Sequence, residues 1–124
     1  MFSNNRRDGQ GTFNWNNKNR YSGGWREDQQ DGYGTKVWAS GDRYQGQWRQ
    51  NLMSGQGSYS FANGNRFEGS FQDNKIHGEG IYYFANGDRY VGAWMDGERH
   101  GPGVYYDTLG NSEAMNFRVG RRLS

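Results

Sequence analysis

The chain is 124 residues long, 31% hydrophobic and 23% charged, with a net charge of +2. That is room for one domain, and no stretch approaches the ~20 consecutive apolar residues of a membrane-spanning helix. The absence of cysteine excludes a disulfide framework and a thiolate metal site, and so mild a charge does not point to nucleic acid.

Mean hydropathy is −1.24, a value typical of disorder, but aromatic residues make up 17% of the chain. Each ring can bury roughly 150–250 Å², so a fold that packs rings against backbone is stable without an aliphatic core. Residues 1–8 are polar after Met1 and Phe2 and lack the apolar stretch of a signal peptide, and a flexible N-terminal segment is expected there. From Gly9 onward a period of 23 residues sets in. Residues 9–20 match the second half of a row. Full rows follow at 21–43, 44–66, 67–89 and 90–112, beginning at Tyr21, Tyr44, Phe67 and Tyr90. Residues 113–120 repeat the first half loosely, as a degenerate capping half repeat, and 121–124 form a basic tail. Glycines fall into columns (Gly23/46/69/92, Gly32/55/78/101, Gly34/57/80/103, Gly41/64/87/110), and so do rings: Trp25/Trp48/Phe71/Trp94/Phe117, Trp15/Trp38/Phe61/Phe84, and Phe13/Tyr59/Tyr82/Tyr105 with Lys36 interrupting.

Each row carries two segments that alternate at period 2, such as Tyr44–Trp48 and Gly55–Phe61, and therefore two half-buried strands. Asn63-Gly64 and Asn86-Gly87 between rows are hairpin signals, because both residue types tolerate positive φ. The expected fold is all-β: one elongated, twisted antiparallel sheet of stacked β-hairpin repeats, with about ten strands over roughly 45–50 Å. Glycine between rings leaves bare backbone that a neighbouring ring can cover, so the predicted core is ring on glycine. A bulged loop puts Tyr59 and Phe67 on the same face, whereas a two-residue Asn-Gly loop separates them. The bulged form is preferred, because it leaves Gln45, Gln47, Arg49, Glu68, Ser70 and Gln72 on the wet face.

Candidate chemistry is sparse. His77 and His100 stand 23 apart in one column, which in a hairpin stack is roughly 10 Å and too far for one ion. Asp42, Asp88, Glu68 and Asp73 have no apolar setting that would hold one of them protonated. Gly-x-Gly is followed by neither a helix nor Gly-Lys-Ser/Thr, so it is no phosphate loop. No catalytic residue, metal or cofactor is expected. Arg20, Arg43, Arg66 and Arg89 form a column that either stacks on neighbouring rings and pairs with turn carboxylates, or reads anionic head groups together with Arg118, Arg121 and Arg122.

Tyr-x-Gly-x-Trp, then His/Asp/Ser-Gly-x-Gly, then Ala-Asn-Gly-Asp-Arg at period 23 resembles the MORN (membrane occupation and recognition nexus) repeat family over residues 9 to 112. The resemblance implies a single elongated sheet that serves as a scaffold in the cytoplasm, at membrane-associated or cytoskeletal structures. It also implies no catalytic residues. The function expected is a non-enzymatic scaffold or adaptor that receives a helix or extended segment of a partner protein in a concave, aromatic-lined groove. The anchors would be Tyr44, Trp48, Tyr59, Phe67, Phe71, Tyr82, Tyr90 and Trp94. The alternative is peripheral binding of anionic phospholipid through Arg43, Arg66, Arg89, Arg118, Arg121 and Arg122. Nucleic acid is not expected, since the rings are needed by the glycines. Met115 and Phe117 on the last strand offer an edge for a homodimer.

Overall fold

The computed structural model describes residues 2–3 and 6–123, with side chains from Asp8 to Leu123. β1 (Phe2–Ser3) and β2 (Arg6–Arg7) pair only with each other; the rest of the expected flexible segment before Asp8 lies outside the described residues. β3 (Gly9–Asn14), β4 (Arg20–Arg26), β5 (Gln29–Val37), β6 (Arg43–Arg49), β7 (Leu52–Ser60), β8 (Arg66–Gln72), β9 (Lys75–Tyr83), β10 (Arg89–Met95), β11 (Glu98–Tyr106), β12 (Ser112–Arg118) and β13 (Arg121–Arg122) follow in order. These eleven form one open antiparallel sheet in which every strand lies beside its neighbours in sequence. The strand beyond the expected ten is β13, made by Arg121–Arg122 of the basic tail folding back on β12.

Two kinds of turn alternate along the sheet. Within a row, Arg49 pairs with Leu52 across Gln50 and Asn51, whose φ angles are 50° and 68°. That is a type I′ hairpin, the form whose twist matches the flanking strands. Glu27-Asp28 and Asp73-Asn74 do the same. Between rows, the Phe61 amide donates to the Asn65 carbonyl, the Gly64 amide donates to the Phe61 carbonyl, and Gly64 alone has positive φ, 99°. This is a type I turn closed by a left-handed glycine. The Asn-Gly signal thus marked a hairpin correctly, but Asn63 keeps negative φ and works through its side chain, whose Oδ1 accepts from the Asn65 amide at 3.0 Å.

That turn sets the register. Tyr59 lies opposite Phe67 and, across the sheet, opposite Tyr44, so all three project from one face, as the bulged reading expects. A further register shift between Gly46 and Trp48 recurs in each row. Gly55, at φ +86°, sits in it.

The core lies on the ring face. Tyr21, Tyr44, Phe67 and Tyr90 are fully buried, although they project from one face of a single-layer sheet. Each lies over a pair of facing glycines: a Cβ built on Gly57 would stand 2.3 Å from the Tyr44 hydroxyl, and one on Gly80 2.4 Å from Phe67 Cζ. The rings then cover one another edge to face. Trp25, Tyr21, Trp48, Tyr44, Phe71, Phe67, Trp94, Tyr90 and Phe117 form an unbroken zigzag with centroid separations of 4.9–5.9 Å. Such contacts add about 0.5–1.5 kcal/mol each beyond area burial.

Side chains also stitch each row to the next. Asn19, Asp42 and Asn65 accept from the amides of Ala39, Ala62 and Ala85 in the following inter-row turn. At the opposite sheet end, Asp8 and Asp31 accept from the Glu27 and Gln50 amides, and His77 and His100 use Nδ1 to accept from Asp96 and Val119. The two histidines are turn acceptors in the positions that aspartate takes elsewhere.

Candidate binding surfaces

Of the eight expected anchors, six are structural. Tyr44, Phe67 and Tyr90 are 0% exposed, and Trp48, Phe71 and Trp94 only 4–6%, because the facing glycines and neighbouring rings already enclose them. A partner could not reach them, and their assignment as contact residues is corrected on that ground. Tyr59 and Tyr82 are half-buried. They belong to a second, outer ladder that runs Trp38, Tyr59, Phe61, Tyr82, Phe84, Tyr105 at 4.7–5.8 Å between centroids. Its phenols are tied to the stitching column: Tyr59 donates to Asp42, Tyr105 donates to Asp88, and Asn65 donates to Tyr82. Burial raises the Tyr59 phenol well above its ordinary range, and the Asp42 hydrogen bond and charge add to the effect.

The main hollow of the sheet is not lined by these rings. It lies on the opposite face, reaches from Tyr33 on β5 to Pro102 on β11, and is an open concavity of about 890 Å³. Gln45, Gln47, Gln56 and Ser58 line one end and Ile81, Val91, Ala93 and Pro102 the other, with Glu68 and Glu79 between. Tyr33 stands 55% exposed at its rim. The expected ring-lined groove therefore divides in two: rings on one face, hollow on the other. The physical reason is the pleat. Residues that alternate with the core rings along each strand must point away from them.

The arginine column stands on the hollow's face. Arg66 packs over the Tyr83 ring and Arg89 over the Tyr106 ring, each at 4.3 Å. Arg66 also pairs with Glu68, Arg43 donates to Gln45, and Arg122 pairs with Glu113. This is the stacked and paired arrangement. Arg118 and Arg121 are exposed on the last two strands. Phe117, named above as an edge contact, is 4% exposed. It ends the core zigzag against Tyr90, with Arg99 packed over it at 4.2 Å. Met115 is half-buried beside it.

One residue that the ring columns passed over stands out in three dimensions. Lys36 occupies the place that Tyr59, Tyr82 and Tyr105 hold in later rows, and its ammonium lies 5.0 Å from the Trp15 ring and 5.3 Å from the Trp38 ring. Burial lowers its pKa. The signal was available as a break in the column, but its meaning depended on the two indoles that close around it.

A family model for the MORN repeat matches residues 1–20, 21–43, 44–66, 67–89 and 90–110. The chain belongs to the MORN repeat family. The match covers five successive units, and its internal boundaries coincide with the rows read from the glycine columns. No curated protein matches the chain. MORN repeats are a scaffold or binding module and not a catalytic one. No helix among the described residues of this MORN array is long and apolar enough to cross a membrane.

Proposed function

We propose that this MORN array is a non-enzymatic scaffold or adaptor that holds a helix or extended segment of a partner protein in the hollow opposite its ring face. The observation that carries the reading is the hollow itself, about 890 Å³ across seven strands, in a sheet whose fully buried rings are committed to its own glycines. Its lining suits a polypeptide. The glutamine and serine side chains can pair with backbone amides and carbonyls, Ile81, Val91 and Pro102 receive apolar side chains, and Glu79 favours a basic one. Anionic phospholipid draws less support, because Arg66 and Arg89 are stacked and glutamates share their face.

Affinity capture from cells with wild type, a hollow variant (Ile81→Glu with Val91→Glu) and a ring-face variant (Phe61→Ser) tests the reading, with captured proteins identified by mass spectrometry. The expected result is a partner kept by the ring-face variant and lost by the hollow variant. A partner retained by the hollow variant, or flotation of the protein with acidic but not neutral vesicles, would overturn it.

A further inference from the structure

Lys36 sits where the register calls for a tyrosine whose hydroxyl would meet a turn residue 17 positions earlier, as Tyr59 meets Asp42 and Tyr105 meets Asp88. For Lys36 that turn residue is Asn19, and the two line one pocket, so an amide stands where two later rows supply a carboxylate. Among the described residues Lys36 makes no hydrogen bond or ion pair; its contacts are the faces of Trp15, Trp38 and, at 6.0 Å, Trp48. A half-buried ammonium supported only by indole faces has lost water without gaining a counter-charge.

Beside it opens a pocket of about 370 Å³, separate from the hollow and on the ring face. Its polar rim is biased toward donors. Asn17, Asn19 and Asn51 all reach it, and each has its carbonyl oxygen turned to a backbone amide, of Asn19, Ala39 and Gln30 respectively. Their NH₂ groups are thereby fixed in orientation and, among the described residues, make no hydrogen bond within the protein. Trp15 and Trp25 give the pocket flat apolar walls, and Asp28 is the carboxylate on its rim.

We propose that this pocket binds a carboxylate, with Lys36 supplying the charge, the asparagine amides the hydrogen bonds and the indoles a wall for the attached carbon chain. A planar two-oxygen acceptor matches a cation flanked by NH₂ donors. The pocket's size limits the ligand to a small organic acid or one acidic side chain of a polypeptide. The site is independent of the proposed partner hollow and stands or falls separately.

The test uses the full chain labelled with ¹³C at lysine Cε, in which Lys18 and Lys75 serve as internal controls. Sodium glutamate is titrated in one arm and a blocked tetrapeptide with a single Glu in the other. Sodium chloride and sodium phosphate at matched ionic strength are the references. The expected result is a saturating shift confined to Lys36. Stronger response to the peptide assigns the source to an acidic side chain, and stronger response to glutamate to a small acid. Binding followed by tryptophan fluorescence should weaken about tenfold or more in Lys36→Met, the loss expected for one charge-assisted hydrogen bond. Lys36→Tyr, which restores the ring column and so keeps the fold, should lose binding as fully. Asp28→Asn should tighten it. A Lys36 shift no larger than those of Lys18 and Lys75, equal binding by Lys36→Met, or equal response to phosphate would overturn the proposal.

Discussion

Gly57→Ala isolates the interaction on which this sheet depends. Gly57 does not have positive φ, so alanine is compatible with its backbone, and at an open site the change would stabilise by about 0.4–1 kcal/mol. Here the new methyl would lie 2.3, 2.5 and 2.6 Å from the hydroxyl, Cζ and Cε1 of Tyr44. The ring cannot swing aside: Trp48 and Phe71 hold it edge-on at 5.1 and 4.9 Å, and its hydroxyl donates to the Gln47 carbonyl at 2.9 Å. Overpacking of this kind costs about 1–3 kcal/mol. Tyr44→Val removes the obstacle, so in that background Gly57→Ala should cost nothing or gain a few tenths. The pair should therefore show a coupling of about 2 kcal/mol in a urea double-mutant cycle, well outside the roughly 0.5 kcal/mol of ordinary non-additivity. Gly101→Ala is the control. Nothing lies within 4 Å of its Cβ, but φ is +84°, so it should cost about 1–2 kcal/mol from backbone strain with no dependence on Tyr44. Equal costs for Gly57→Ala with and without the Tyr44 ring would refute the ring-on-glycine core.

Trp48→Ala should cost about 3–5 kcal/mol in the same assay, since the side chain is buried, touches both Tyr21 and Tyr44 and donates from Nε1 to the Gly34 carbonyl; a loss below about 1 kcal/mol would contradict that placement. Burial raises the Tyr21, Tyr44 and Tyr59 phenols above their usual 10.0, so the folded state keeps protons that the unfolded chain releases. Stability should be complete below about pH 10 and fall as pH rises from there toward the raised folded values, and a melting temperature flat to about pH 11.5 would argue against it. Asp42→Ala strips the Ala62 amide and the Tyr59 hydroxyl of their acceptor and should cost about 1–3 kcal/mol. Asp42→Asn should restore most of that, as Asn65 natively accepts from the Ala85 amide and donates to the Tyr82 hydroxyl; an unrescued Asn variant would mean that charge and not the stitch matters. Amide exchange should be slowest across Tyr44–Arg89 and faster toward both ends, and uniform protection through Phe117 would contradict a linear array.

Rows, strands and the shared face of Tyr59 and Phe67 were legible because glycine and ring columns repeat without a gap, and a period of two leaves little freedom once the turn is known. The turn chemistry was half legible. Asn63-Gly64 announced a hairpin, yet the type I′ turns include Glu27-Asp28, Gln50-Asn51 and Asp73-Asn74, where sequence varies and backbone geometry does the selecting. The partner anchors were misread for a physical reason. Tyr44 and Trp48 are large and periodic, which marks either a core or an interface, and in a single-layer sheet only the edge-to-face contact with the next row decides between them. The hollow was illegible, because Gln45, Glu68, Ile81 and Val91 share no type and become neighbours only across strands.

The zigzag of rings gives the chain a direction. Tyr21 is covered by Trp25 and Trp48, Tyr44 by Trp48 and Phe71, Phe67 by Phe71 and Trp94, and Tyr90 by Trp94 and Phe117. In each case the second cover comes from the unit that follows. During synthesis a repeat would thus leave the ribosome unfinished and be sealed only when its successor emerges, so the growing protein would always trail one sticky, half-closed unit. Loss of residues after Leu109 would strand Tyr90 in that state permanently, whereas removing an internal block of 23 residues would join the same two surfaces again and leave a shorter, sound ladder.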